Sequence, residues 1–377
     1  MHNTTPTDPR TDAAAPNRPT TPQGPDSSAD PHPEQPGRHP RHALIDTEPH
    51  IAPPVLAAAA GIRKAMTVPV VTALAIGTIF VAVYLAAFHA PTARHQALGI
   101  AASDQVAART ELALNTAAPD AYDFHRYTSP DAARHAIEHD EVPAALVTRD
   151  RRLVLLAAGA QGPSAVSSLQ AAATRATGLP VAVDDVVPLV PGDARGLSVF
   201  YASFGVVLAG FLFSVASYQI APRLPLTART VSMVVFAAAS GLMVALIGHQ
   251  SLDALPASFI TVTAIVGLLA MATAAAASVL LRTCGPLGMP VASVVLLIFG
   301  NATSGGILPP AFLPSWLSPL SEVMPPAAAV RALRNTGYFH SAHVTSAVLT
   351  LIAWTLGCLA LQLTLDFSAG RRAATAA

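Results

Sequence analysis

The sequence predicts a membrane α-helical protein: six transmembrane helices, a small α/β extracytoplasmic domain between the first and second, and a disordered N-terminal tail. Three observations carry that reading. Only 12% of the 377 residues are charged, about half the share carried by soluble domains. Mean hydropathy is positive, +0.48. Six apolar runs, at 66–88, 197–220, 231–248, 259–281, 288–303 and 344–365, each approach the ~20 residues that an α-helix needs to cross a bilayer. The formal net charge is zero, so nothing points to nucleic acid. Cys284 and Cys358 are the only cysteines and lie in or beside apolar runs, which argues against a disulfide framework or a thiolate metal site.

Residues 1–62 open the chain as a tail rich in Pro, Thr, Asp, His and Arg with few large apolar side chains. Such a segment buries too little surface to offset its ordering entropy, so a disordered cytoplasmic tail is expected. His32, His39, His42 and His50 read as solvated tail histidines rather than as a metal tract. The first apolar run, within 63–90, follows Arg63 and Lys64. It is too long for a signal-peptide core and lacks a small-x-small cleavage site before Pro91, so it reads as a signal anchor.

The polar insert 91–195 is expected to be the α/β domain, large enough to bury a core of its own. Residues 98–102 and 121–127 read as strands, with a helix over Asp104–Ala117 between them. Ser129-Pro130-Asp131 is a helix start, with a capping serine and proline at the first helical position. That helix must end before Pro143. Residues 144–148 and 153–157 flank Arg149-Asp150-Arg151-Arg152 as a hairpin. A helix over Pro163–Thr177 closes at Gly178, and 181–187 makes a last strand.

Residues 196–377 are expected to form a five-helix membrane domain. Orientation comes from the short-loop charges. Arg63 and Lys64 precede the first span, Arg223 and Arg229 separate the second and third, Arg282 separates the fourth and fifth, and Arg371 and Arg372 follow the sixth. The connection 249–256 has no Lys or Arg. Both termini are therefore expected in the cytoplasm of a multi-pass cell-membrane protein. The six runs hold no Asp, Glu, Lys or Arg between their ends, whereas ion-coupled transporters keep ionisable groups there. Asn301, Gln219 and Gln362 remain as polar handles. Small residues four apart, at Ala73/Gly77, Ala237/Gly241 and Gly300/Ser304, are candidate close-packing faces, although an alanine-rich chain produces such pairs by chance. Arg223 and Arg229 sit in a short, proline-stiffened loop that suits either a cytoplasmic partner or a plain topogenic turn.

The most distinctive stretch follows the fifth run. It starts at Gly300 and Asn301, breaks the helix at Ser304, Gly305 and Gly306, and then threads Pro309, Pro310, Pro325 and Pro326 through mostly apolar residues to Arg331 and Arg334. Apolar backbone that cannot form a continuous helix suggests a segment folded back into a membrane protein, over about 304–335, and shielded by its neighbours. Arg331 and Arg334 would anchor it at the headgroup level or simply snorkel from a span end.

Enzyme chemistry is not visible. His135-Ala-Ile-Glu138-His139 matches the inverted zinc-protease string, but the helix is short and the sequence offers no obvious third ligand. There is no phosphate-binding G-x-x-x-x-G-K-[ST] loop and no G-x-S-x-G elbow. No catalytic residue, cofactor or metal is expected.

Six spans, an insert after the first and a broken segment before the last resemble the permease subunits of type-2 ABC exporters. Within that class the similarity is closest to the phage-infection-protein-like membrane proteins of Gram-positive bacteria. The residues that carry it are Gly300-Asn301-Ala-Thr-Ser304-Gly305-Gly306, Leu313-Pro314, Pro325-Pro326 and Ala329-Val-Arg331-Ala-Leu-Arg334-Asn335, together with Val186-Val187-Pro188-Leu189 to Gly192-Asp193-Ala-Arg195-Gly196-Leu197 at the entry to the second span. Ala302 and Ala327 depart from the pattern, standing where such proteins often have proline and glycine. The resemblance implies a permease half that forms a homo- or heterodimer in the lipid bilayer, takes ATP hydrolysis from a separate cytoplasmic ATPase subunit and exports amphipathic or lipid-like cargo. It also implies that the broken segment re-enters the outer leaflet as a short helical hairpin and acts as a gate. The alternative is a non-transporting surface or scaffold protein whose ectodomain binds a partner.

Overall fold

The computed structural model describes residues 53–89 and 91–376. Most of the expected tail, with His32, His39, His42 and His50, falls outside the described residues. The described residues are mostly helical, 67%. Among them six helices are long and apolar enough to cross a membrane: Arg63–Phe88, Ser198–Ile220, Leu226–Ser251, Phe259–Thr283, Gly285–Ala302 and Val344–Ser368. This is the build of a multi-pass membrane protein.

α1 (Pro53–Phe88) begins ahead of the first span and holds Pro69 in its interior, which removes one helical donor. Only 11% of its apolar window is buried. Near its end, Val83 and Ala87 pack on Ile298, Ala302, Leu313 and Leu317.

β1 (Gln96–Ala101), α2 (Asp104–Ala117), β2 (Tyr122–Arg126), α3 (Pro130–Glu138), β3 (Ala144–Arg149), β4 (Arg152–Ala157), α4 (Pro163–Thr177) and β5 (Ala182–Asp185) follow. The strands form one five-stranded sheet in the order β2-β1-β3-β4-β5. β1 runs parallel to both β2 and β3, β3 and β4 form an antiparallel hairpin, and β5 runs parallel to β4. Local chemistry sets the joints. The Ser129 hydroxyl accepts from the Ala132 N–H at 3.1 Å, with Pro130 opening α3. Gly178 ends α4 in the left-handed region, φ 66°, where a side chain would be strained.

Side chains alternate across β3. Ala144 and Leu146 join Leu114 of α2 and Leu169 of α4, while Ala145 and Val147 join Ile137 of α3. A strand covered on both faces is a continuous apolar run, which is how Ala144-Ala-Leu-Val147 reads. One member of the second face comes from far along the chain: Phe339, fully buried, packs with Ala133, Ile137 and Leu156. The insert is long enough to bury its own core, yet that face is completed by the membrane region.

α5 (Ser198–Ile220), α6 (Leu226–Val244, continued by a π-helical stretch, Ala245–Ser251) and α7 (Phe259–Thr283) come next. The fifth span joins α8 (Gly288–Ala292), a second π-helical stretch (Ser293–Phe299) and α9 (Gly300–Ala302). α10 (Leu320–Val323) and α11 (Pro325–Tyr338) lie in the connection before α12 (Val344–Ala376). α7 is the axis of the bundle: 72% of its window is buried, and α5, α6, α11 and α12 pack around it. Small side chains make that possible. A Cβ on Gly241 would stand 2.2 Å from the Thr263 carbonyl oxygen, so Ala237/Gly241 is a close-packing face. Ala73/Gly77 makes no such contact within the chain, since both are exposed and Gly77 faces open space. Polar side chains add interhelical bonds: the Ser214 hydroxyl donates to the Ala274 carbonyl at 2.8 Å, and Gln362 Nε2 donates to the Ala275 carbonyl at 3.2 Å.

The entry into α5 is capped by Asp193, whose carboxylate accepts from the backbone N–H groups of Leu197 at 3.0 Å and Ser198 at 3.2 Å. An acidic side chain is favoured at the positive end of a helix. The sheet, the 252–256 connection and residues 304–343 share one end of the bundle: Gly192 abuts the Leu252 and Asp253 carbonyls, and Gly337 abuts Pro256. The 221–225 connection, residues 283–287 and the end of α12 share the other, where Arg282 pairs with Asp366.

Candidate functional site

The helix break is built from local bonds. Asn301 Nδ2 donates to the Leu297 carbonyl at 2.9 Å and the Thr303 hydroxyl to the Phe299 carbonyl at 2.8 Å, holding the last turn. Gly305 then takes φ 72°, a region open to glycine. Gly306 lies against α5, where a Cβ would stand 2.6 Å from the Phe200 Cβ. Each glycine is therefore required for a different reason. Gly300, one turn earlier, lies close to Pro326 of α11, 3.2 Å from an added Cβ to its Cγ. A single turn of 3-10 helix, Pro310–Phe312, buries Phe312, and Leu313 and Leu317 follow it into the core. Pro325 and Pro326 occupy the first turn of α11, where the N–H that proline lacks has no helical partner in any case.

A broken helix leaves backbone carbonyls without helical donors, and inside an apolar bundle these must find partners. Arg334 supplies two of them. Its guanidinium donates to the Gly305 carbonyl at 2.9 Å and the Gly306 carbonyl at 3.3 Å, and the residue is only 7% exposed. Its guanidinium is thus held inside the chain by the freed carbonyls rather than extended from its surface. Arg331 binds the Ser321 and Glu322 carbonyls and lies 3.6 Å from the Glu322 carboxylate. Trp354 of α12 donates its indole N–H to the Val323 carbonyl at 2.7 Å. The expected gate residues Gly300, Ser304, Gly305, Gly306, Pro309, Pro310, Pro325, Pro326, Arg331 and Arg334 thus converge on one region. Asn301 lies at its base, buried.

The sheet is joined to this region by residues to which the sequence assigns no site role, although Asn335 is among those that carry the resemblance. Asn335 Nδ2 donates to Asp140 Oδ2 and to the Ala342 carbonyl, both at 2.8 Å. Gln161 Nε2 donates to Asp140 Oδ1. Burial pushes the Asp140 carboxyl above the usual carboxylate range, against the opposing pull of the Asn335 bond, of His343 and Arg334, and of the Gln161 bond. Tyr338 accepts from the Val190 N–H at 3.2 Å. Arg94 binds the break directly, its backbone N–H to the Ala311 carbonyl at 2.9 Å and its guanidinium to the Leu313 carbonyl at 3.1 Å. Between sheet and break lies a cavity of about 230 Å³ with a mixed lining, in which Gln96, Asp140, Ser304, Arg331 and Arg334 stand among proline, alanine and valine side chains. That is below the ~300–1,000 Å³ of small-molecule sites. The arrangement is a closed, hydrogen-bonded joint. One local signal marks it in the sequence: Asn335 stands beside the Arg331 and Arg334 pair.

The two histidines of the protease-like string lie 4.0 Å apart between ring centroids with their rings tilted, and His340 stacks on His139 at 5.1 Å. His139 also hydrogen-bonds the His135 carbonyl through Nδ1. The chain therefore supplies a third imidazole, but as a stack, and among the described residues no three His, Cys, Asp or Glu groups converge on a point suited to a metal.

Arg223 and Arg229 lie at the opposite end and separate in role. Helix α6 starts before Arg229, which is 3% exposed and donates to the Ser217 hydroxyl at 2.7 Å and the Ala221 carbonyl at 2.8 Å. Its guanidinium also lies 3.8 Å over the Tyr218 ring. Arg229 is thus occupied inside the chain, which corrects its expected place in an exposed contact loop. Arg223 is exposed. No family model, no curated protein and no solved structure matches this chain.

Proposed function

We propose that this chain is the permease subunit of an ATP-driven, ABC-type exporter of amphipathic or lipid-like cargo. In this reading it lies in the cell membrane with both termini in the cytoplasm and the sheet outside, forms a homo- or heterodimer, and relies on a separate ATPase subunit. Residues 304–335 form the outer gate. The observation that carries the reading is the closed break: buried backbone, satisfied by Arg334, Arg331 and Arg94, and roofed by the sheet. Any break in a membrane helix needs its freed carbonyls paired; in this reading the gate uses that closed pairing as its shut state.

Two further features agree with it. The spans keep few charges inside, which suits apolar cargo better than ions. α1 and α12 have only 11% and 17% of their apolar windows buried, leaving helix faces for a second subunit. The test is purification of the chain from its native membrane in mild detergent, with assay for a bound ATPase, and comparison of lipid and drug efflux in a deletion strain. A stoichiometric ATPase and an efflux defect are expected. A chain that copurifies with no ATPase and whose loss changes no efflux or lipid phenotype returns the scaffold reading.

A further inference from the structure

We propose that the end of the bundle opposite the sheet holds a binding site for one anionic glycerophospholipid, with its phosphate among arginines and an acyl chain between α6 and α12. Two adjoining hollows make the case. The first, about 900 Å³, is an apolar groove between the start of α6 and the end of α12, lined by Leu226, Val231, Leu359, Leu363 and Phe367. The second, about 360 Å³, is a polar pocket bounded by Arg223, Arg229 and Arg282 with Tyr218 and Asp366. Pro225, Leu226 and Asp366 border both, so an apolar chain in one is continuous with a polar headgroup in the other.

Charge decides which headgroup fits. Three guanidinium groups face the pocket, and Arg371 stands at the rim of the groove. Among the described residues Asp366 is the only carboxylate bordering either hollow, and it is paired with Arg282. Arg229 is fixed by Ser217, the Ala221 carbonyl and the face of Tyr218, so its charge is oriented before any ligand arrives. Among the described residues the Arg223 guanidinium has no ion pair or hydrogen bond. Arginine matches phosphate oxygens through a planar fork of donors. Basic pockets between membrane helices take anionic lipid headgroups on the same logic. A zwitterionic lipid would bring a second cation into a pocket that already holds an excess of them. A protein partner would satisfy the arginines but leave the groove, which runs along two apolar spans, unfilled.

The site requires only that the bundle sit in a bilayer and stands independently of the exporter reading. Its test uses the purified full chain in detergent, titrated with dioleoyl phosphatidylglycerol or dioleoyl phosphatidylcholine, with bound lipid counted by native mass spectrometry. Preferential retention of one phosphatidylglycerol is expected. Arg223→Ala, at an exposed position whose side chain has no bond to the rest of the described chain, should lower that preference by about fivefold. Val231→Trp, which fills the groove and leaves the charges, should lower retention of phosphatidylglycerol as well. Equal retention of the two lipids, or a preference unchanged by both variants, overturns the proposal. Competition by glycerol 3-phosphate at comparable concentration also overturns it, because the pocket would then take a free phosphate. So does loss of a copurifying protein in Arg223→Ala with lipid retention unchanged.

Discussion

The Asp140–Asn335 bond spans 195 residues of sequence and can be weighed by itself. Replacing Asn335 with alanine removes a bond to a carboxylate, worth about 1.5–3 kcal/mol. It also strips the Ala342 carbonyl of its donor. Asn335 further holds the 339–342 turn, its carbonyl accepting from the Phe339 and Ser341 N–H groups. Those amides therefore report on the joint. Hydrogen exchange should show them opening about ten- to a hundredfold more often in Asn335→Ala, while amides in the middle of α7 stay unchanged. Asn335→Asp should be worse still at neutral pH, because it sets a second carboxylate against the first. The sign of the pH effect follows from burial. Asp140 has its folded pKa raised, so the closed joint holds the proton more tightly than the open chain does. Stability is then greatest below the ordinary carboxyl range, falls as pH rises toward the raised value, and is flat above it. Asp140→Asn should abolish that slope. If Asn335→Ala shifts exchange less than about twofold, or if Asn335→Asp is no worse than alanine, the joint is not held by this bond.

Two other perturbations probe the same architecture. Phe339→Ala empties a fully buried position on one face of the sheet and should cost about 3–5 kcal/mol. It should be read as faster exchange in β3 and β4, and protection equal to that of the unaltered chain would show that the sheet closes its core without help. Asp193→Ala removes the cap of α5 and should cost about 0.5–2 kcal/mol. The loss should be greatest in the first turn of α5 and measured as local exchange there, and exchange in that turn equal to that of the unaltered chain would contradict a capping role.

Much of the helical part was legible because its signal is local. A run of apolar residues long enough to cross a bilayer needs no knowledge of its neighbours, and the observed spans overlap the six runs read from sequence. Turn chemistry was legible for the same reason, at Ser129-Pro130 and Gly178. Boundaries were less so. The apolar run beginning near residue 231 does not announce that its helix starts at Leu226, so Arg229 reads as a loop residue. For Arg334 the sequence offers a headgroup anchor or a snorkelling span end, because a charge in an apolar segment ordinarily seeks water. What holds it inside is a set of freed carbonyls 28 and 29 residues earlier. Phe339 and Asp140 carry no local mark at all. An aromatic residue after a helix and an aspartate after a short one are ordinary, and only the fold brings each to its partner.

The partners of the break come from separate parts of the chain. Arg334 comes from α11, Arg94 from the link between α1 and the sheet, Trp354 from α12, and Phe200 presses on Gly306 from α5. A carbonyl in an apolar setting cannot give up its donor without a replacement, since each unpaired group costs about 1–3 kcal/mol. Any movement of residues 304–313 must therefore carry Arg94 along or break its two bonds at once. Arg94 lies immediately before β1, and the sheet is further clamped through Asp140 and Phe339. The break and the sheet are therefore linked at this end of the bundle. A movement of the segment would either carry the sheet with it or break these bonds, because the same few bonds shield the carbonyls and hold the sheet down.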